Sequence, residues 1–287
     1  MNFNPNPYDA VGMSMAARNG QPQMMATQNN PRYPVLPPSE LYNVNSQPQQ
    51  QYENNFNGST PADLESKLSQ TNRIGFIRKV YSILTVQLLI TAIFTSICLA
   101  SVGMQEFMVR NPSLMGICIV VYMISMYTLV CYPKVSRAVP WNYLLLFLFT
   151  AAMSYLVGFI SSQYSPRIVA AAAILTALMM IGLTAYACYT KTDFTMCGGL
   201  LFAAGFILIG MIFVGIFITN KFYHSLLCGM TLVLLSVYVI YDTQLIVGKH
   251  SYKYMIDDYI LAALNLYLDI INMFLTLLKI LGKAAGK

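Results

Sequence analysis

Residues 264–279, LNLYLDIINMFLTLLK, form an apolar stretch that carries a single carboxylate, Asp269, near its middle. An acid in such a setting is costly if the stretch crosses a bilayer, because the ionised form then loses its water. Acids inside membrane helices therefore face protein or a polar path, and they are candidates for functional sites. The arrangement of the chain depends on whether this stretch spans a membrane and on which groups face Asp269.

The whole chain has the composition of a multi-pass membrane protein. Of its 287 residues, 56% are hydrophobic and only 10% are charged, whereas soluble proteins carry about 25% charged residues. A helix needs about 20 apolar residues to cross the hydrocarbon layer. Strands of a membrane barrel would instead give alternating segments of about ten residues. The sequence predicts an all-α membrane protein with seven transmembrane helices, at 80–102, 114–132, 142–161, 168–189, 196–218, 225–247 and 259–280.

The front of the chain has a different composition. Residues 1–70 are rich in Asn, Gln and Pro, as in NNPRYPVLPPSE at 29–40. Such a segment buries too little apolar surface to offset the entropy of ordering it, so disorder is predicted. The sequence therefore divides into a disordered cytosolic tail, residues 1–70, and a seven-helix transmembrane domain, residues 71–287.

The distribution of Lys and Arg predicts the orientation. If the N-terminus is cytosolic, the cytosolic connections hold Lys67, Arg73, Arg78, Lys79, Lys134, Arg137, Lys191, Lys249 and Lys253, and the opposite ones hold only Arg110, Arg167 and Lys221. Basic residues favour the cytosolic side, so a cytosolic N-terminus is predicted. The net charge of +6 reflects these connections and indicates no nucleic-acid partner. Seven spans then place Lys279, Lys283 and Lys287 on the other side, unless the last segment is re-entrant.

Two acids fall inside predicted spans, Asp242 near the cytosolic end of the sixth and Asp269 in the seventh. The short connection between these spans, KHSYKYMIDD at 249–258, favours packing of the two helices as an antiparallel pair. Helical spacing gives each acid a polar face, so both acids are expected to face one interior. The supporting polar residues on these faces are Asn265, Asn272 and Thr276 with Asp269, and Tyr238 with Asp242.

Two carboxylates that lie close together in a medium of low dielectric repel each other strongly, so such a pair titrates as a unit. Asp242 and Asp269 are therefore predicted to form a pH sensor and ion gate. Because hard cations bind carboxylate oxygens, the pair is also a candidate calcium site. Arg137 or Lys134, near the end of the second span, is a candidate latch that holds the pair closed. The alternative is a hydrogen-bonded pair that only joins two helices.

Several stretches resemble the Bax-inhibitor/lifeguard family of membrane proteins, over about residues 72–282. The most specific matches are YDTQLIVG at 241–248 and DDYILAALNLYLDIINMF at 257–274. The tail is similar to that of the lifeguard branch. Further matches are FIRKVYSILTVQLLIT at 76–91, which resembles the first span of the family, YPKVSRAVPWN at 132–142, which resembles the second connection, and TKTDFTMCGGLLF at 190–202, which resembles the fourth.

This resemblance implies a seven-helix bundle with a central last helix and two three-helix layers around it. It implies calcium leak across an intracellular membrane, such as the endoplasmic reticulum or Golgi, and suppression of cell death. Asp242 and Asp269 occupy the positions of the pH-sensing gate, and both Arg137 and Lys134 remain candidates for the latch. Calcium is the expected transported ion, and no cofactor is expected. The expected partners are the lipid bilayer and other membrane proteins of the cell-death pathway.

Two other functions compete with this one. An aspartyl intramembrane protease also uses two membrane acids, but that class shows GxGD at the second acid, where this chain has LYLD at 266–269. No enzymatic activity is therefore expected. A non-conducting membrane adaptor, which regulates apoptosis or receptor signalling through protein contacts, stays open as the alternative, and the two acids would then be structural.

Overall fold

A computed structural model describes residues 61–218 and 220–286, with side chains from residue 65 onward. The disorder predicted for residues 1–60 lies outside the described residues. Residues 61–70 are helical, so a helix extends into the segment that the sequence assigns to the tail. The helix begins at Pro61, and proline suits the first turn of a helix, where no N–H is needed.

The described residues are almost entirely helical and contain no strand. Seven helices are long and apolar enough to cross a membrane, which confirms the predicted all-α class. The shorter α2 and α4 lie in segments that were predicted as connections. The helices are α1 (Pro61–Ala100), α2 (Val102–Arg110), α3 (Pro112–Cys131), α4 (Pro133–Ser136), α5 (Trp141–Ser162), α6 (Pro166–Tyr189), α7 (Gly198–Phe217), α8 (Lys221–Val247) and α9 (Tyr259–Ala284), with a 3₁₀ turn at Phe194–Cys197 before α7.

The last helix, α9, is the centre of the bundle. It packs against α1, α5, α6 and α8, and 67% of its most apolar window is buried, against 56% or less for each other span. The remaining spans contact one another in two groups of three, α1 with α3 and α5, and α6 with α7 and α8. This is the arrangement that the family resemblance implies. At 1.5 Å per residue, the 26 residues of α9 extend about 39 Å, which favours a full span over a re-entrant segment.

Polar side chains join α9 to the first group of helices. The hydroxyl of Tyr267, which is fully buried on α9, lies 2.8 Å from Thr91 Oγ1 on α1. Thr91 also lies 3.0 Å from Ser154 Oγ on α5, and Gln87 donates to Thr150 Oγ1 between the same two helices. Hydrogen bonds of this kind hold helices together where no water competes for the polar groups.

A second polar network ties together the connections before α7 and before α9. Asp193 Oδ1 accepts hydrogen bonds from the backbone N–H and hydroxyl of Thr195. Its Oδ2 accepts two more from the N–H and hydroxyl of Ser251, which follows α8. Gln244 on α8 donates to Thr192 O and accepts from Phe194 N. The end of α8 is thus fixed to the start of the 3₁₀ turn.

The four bonds to Asp193 predict a pH-dependent stability. The donors, Ser251 first and then Thr195, hold the pKa of Asp193 well below its usual range. Folding therefore favours the ionised form, whose contribution is complete above the pKa of an unfolded aspartate, about 3.9, and is lost as the pH falls below that value. Asp193→Asn replaces one acceptor oxygen with a donor. We expect a lower melting temperature in detergent at neutral pH, with a difference from wild type that shrinks in acid.

The exposed Asp257 provides the matched control, since it accepts no hydrogen bond from a described residue. Asp257→Asn should leave the melting temperature close to that of wild type over the same pH series. A decrease in the melting temperature of Asp193→Asn that stays constant from neutral to acidic pH would contradict the prediction.

Candidate functional site

The two membrane acids meet in the interior between α8 and α9. Asp242 is 6% exposed and Asp269 is 8% exposed. Their carboxyl groups lie close enough to share a hydrogen bond when one of them is protonated. The structure thus brings together the pair that the sequence singled out, and each acid comes from a different helix.

Tyr254, in the connection between α8 and α9, links this pair to its surroundings. Its hydroxyl accepts a hydrogen bond of 2.8 Å from Asn265 Nδ2 on α9 and donates a long one, 3.5 Å, to Asp242 Oδ1. Burial, followed by the nearby carboxyl of Asp242, raises the pKa of Tyr254 well above its usual range. The hydroxyl therefore keeps its proton and stays a donor to Asp242.

Asp269 is less well satisfied than Asp242. Its Oδ2 is buried and has no hydrogen-bond partner among the described residues. A bare carboxylate oxygen in a membrane interior is costly. A proton shared with Asp242, or a cation, would remove that cost. The pair is therefore chemically suited to exchange one positive charge for another.

The other predicted supporting residues have different surroundings. Tyr238 donates to Leu201 O, 2.8 Å away on α7, so it fastens α7 to α8. Thr276 donates to the carbonyl of Asn272 within its own helix. Asn272 itself is exposed and lines a cavity. Of the four, Asn265 alone has a recorded hydrogen bond into the network of the pair, through Tyr254.

The predicted latch residues do not contact the acids. Arg137, which follows α4, donates through Nε to Asp258 Oδ1 at 2.8 Å, and Asp258 is the N-cap residue of α9. Lys134 is exposed and has no recorded ion pair in the described part of the chain. Neither residue therefore holds the acid pair directly. Arg137 instead pairs with Asp258, a carboxylate at the start of α9.

Sequence reasoning missed Arg73, which it treated only as topology information. From α1, Arg73 donates to the carbonyls of Leu245, Val247 and Tyr254. The last carbonyls of a helix lack partners within it and attract a positive charge, so Arg73 caps α8 and fastens the following connection. Gly248 makes room for it, because a Cβ there would lie 2.5 Å from Arg73 Nε, and its φ of 69° suits glycine.

A bound calcium would need more ligands than the two carboxylates of the pair. No group of three or more His, Cys, Asp or Glu that could hold a metal occurs within residues 61–218 and 220–286. Calcium takes about six to eight oxygen ligands, and two carboxylates supply only part of that set.

Comparisons with known proteins agree with the resemblance seen in the sequence. The family model Bax1-I, described as inhibitor of apoptosis-promoting Bax1, matches residues 73–286. Protein lifeguard 3 of Homo sapiens is 36% identical over 211 residues, which cover 72% of this chain and 68% of that protein. Protein lifeguard 3 of Mus musculus is 33% identical over 214 residues, with 73% and 69% coverage. Protein lifeguard 4 of Mus musculus is 34% identical over 236 residues, with 82% and 94% coverage.

The contacts of Arg73 predict that this residue stabilises the end of α8 and the connection that follows it. Arg73→Gln removes charged donors from three carbonyls. We expect the free energy of unfolding to fall by about 1.5 kcal/mol, the low end for hydrogen bonds to a charged group, because the side chain is partly exposed. Hydrogen exchange should speed up in residues 245–258 and much less elsewhere. Arg78→Gln is the control, since Arg78 is exposed on the same helix and the change in charge is the same. Equal rates of hydrogen exchange in residues 245–258 of the two variants would show that Arg73 does not fasten this connection.

Proposed function

This chain belongs to the family of inhibitors of apoptosis-promoting Bax1, and we propose on that premise that it is a pH-sensitive calcium leak channel that modulates cell-death signalling. Its membrane would be the endoplasmic reticulum, the Golgi or another endomembrane, with the N-terminus in the cytosol. The observation that supports the proposal is the burial of Asp242 and Asp269 against each other between two spanning helices.

The proposed gate works through the proton that the two acids share. With that proton in place, one carboxyl donates to the other and α8 is held against α9. Without it, two negative charges face each other in a medium of low dielectric, where they repel strongly. The titratable groups around the pair are Tyr238, Tyr241 and Tyr254. Because these are neutral at physiological pH, the charge of the site follows the acids themselves.

The surroundings of the pair differ on its two sides. Toward the 249–258 connection, the hydroxyl of Tyr254 donates to Asp242, and Arg73 holds the carbonyl of the same tyrosine. In the other direction, Asn272 lies one turn along α9 from Asp269 and lines a cavity of about 800 Å³ between α7, α8 and α9. We call this space the outer cavity. The acids would then separate an open cavity from a closed connection, which is where a gate has to lie.

The proposal predicts that both acids are needed for one pH response. Purified wild type, Asp242→Asn, Asp269→Asn and the double variant would be reconstituted in liposomes that contain a calcium dye, and calcium flux measured from about pH 5 to pH 8. Asn keeps the shape of Asp but cannot titrate. Each single variant should lose the pH dependence of wild type, and the double variant should add little, because the two sites act as one.

Two results would argue against the gate. If both single variants keep the wild-type pH profile, the pair does not sense pH. If wild type passes no calcium at any pH, the acids return to a structural role and the non-conducting adaptor becomes the better function for this chain.

Arg137 gives a second prediction in the same assay. Its ion pair with Asp258 holds the N-cap residue of the helix that carries Asp269, so a latch through α9 would act indirectly. Arg137→Gln should raise the resting calcium leak at neutral pH. Lys134→Gln is the matched control, because Lys134 is exposed and the same charge is removed three residues away. An equal effect of both changes would show that net charge, and not the latch, controls the leak.

A further inference from the structure

The outer cavity has an apolar body and a basic mouth. Its body is lined by side chains of α7 and α8 such as Leu208, Ile212, Leu227 and Leu235. Lys279 and Lys283 line it near the end of α9. A volume of about 800 Å³ falls within the range of pockets that hold small molecules, roughly 300–1,000 Å³.

Specific contacts fix the walls of this cavity. The ring of His224 lies 2.8 Å from the carbonyl of Ile218, and Tyr223 donates to the carbonyl of Met211, so the start of α8 is tied to the end of α7. On the opposite wall, the ring of Tyr164 packs on Gly282, where a Cβ would lie 2.3 Å from the ring. These contacts fix the positions of His224 and Tyr164, two of the side chains that line the cavity.

Among the described residues, the two lysines have no negatively charged partner. They are four residues apart and so lie on one face of α9. Neither forms an ion pair with a described carboxylate, and no acid lines the cavity. With a cytosolic N-terminus, they also lie on the side where basic residues are disfavoured. Two unpaired positive charges beside an apolar space in a membrane protein fit an anion that carries a hydrocarbon chain.

We propose that the outer cavity binds one acidic glycerophospholipid, with its phosphate between Lys279 and Lys283 and one acyl chain in the apolar body. From Lys283 to Asn272 the cavity follows α9 for about 16 Å, close to the thickness of one leaflet, about 15 Å. Free phosphate would leave the apolar lining without a partner, so a lipid is the better match. The lipid-binding proposal does not rest on calcium conduction, and its test measures no flux.

The test compares two double variants that remove the same charge. Native mass spectrometry of the full chain in detergent would measure the binding of phosphatidylserine and phosphatidylcholine to wild type, Lys279→Gln/Lys283→Gln and the control Arg167→Gln/Lys221→Gln. The control residues are exposed and do not line the cavity. Loss of charge-assisted contacts to the phosphate should weaken phosphatidylserine binding about tenfold or more in the first variant only. Equal binding in the two variants would overturn the proposal.

Two further arms separate the parts of the lipid. Ile212→Trp narrows the apolar body but keeps both lysines, and it should also weaken binding of phosphatidylserine. Lys279→Arg/Lys283→Arg keeps the charge and should bind the lipid nearly as wild type does, which controls for misfolding of the Gln variant. If inorganic phosphate or glycerophosphate displaces the lipid at equal concentration, or if Ile212→Trp binds it unchanged, the acyl chain is not bound and the proposal fails.

Discussion

Asp269 imposes the main constraint on this fold, because a polar group in a membrane helix has to find its partners inside the protein. The polar side chains of α9 meet that constraint in different directions. Tyr267 reaches Thr91 on α1, Asp269 faces Asp242 on α8, and Asn265 reaches Tyr254 in the connection. A helix whose polar groups point to several neighbours cannot lie at the edge of the bundle. The central position of α9 follows from its own sequence.

The spans were predictable because the length of an apolar run is a local property with a physical threshold. The last predicted span, 259–280, begins where α9 begins. The pairing of Asp242 with Asp269 was predictable for a related reason, since a short connection forces adjacent spans together. The start of α1 could not be predicted in this way, because residues 61–70 are polar. The minimum length of an apolar run says nothing about a helix that extends out of the membrane.

Contacts between distant parts of the chain were beyond the reach of the sequence. Arg73 lies 174 residues from Val247, and no local pattern connects a basic residue of α1 with the carbonyls at the end of α8. The partner of the proposed latch residue Arg137 was open for a similar reason. Charge alone could not decide which acid Arg137 would meet, and the accessible Asp258 at a helix start costs less to pair with than a carboxyl buried between helices. Sequence patterns thus identified the groups that are costly to bury, and the structure identified the residues that contact them.

The two sides of the acid pair, the 249–258 connection and the outer cavity, differ in their charges. This difference connects the proposed lipid with the proposed gate. A cation that reaches the pair through the outer cavity passes Lys283 and Lys279 before it meets Asp269, about 15 Å further along α9. In water such a distance would screen the charges, but beside an apolar lining the screening is much weaker. The two lysines, which form no ion pair with a described residue, would therefore oppose a divalent cation at the mouth of the cavity. A phosphodiester held between them would cancel most of that barrier while its acyl chain occupied part of the path. In the proposed gate, the charge and the bulk of a bound lipid would act in opposite directions on cation access. The lipid composition of the membrane would then be a variable separate from the proton that we propose the acids share.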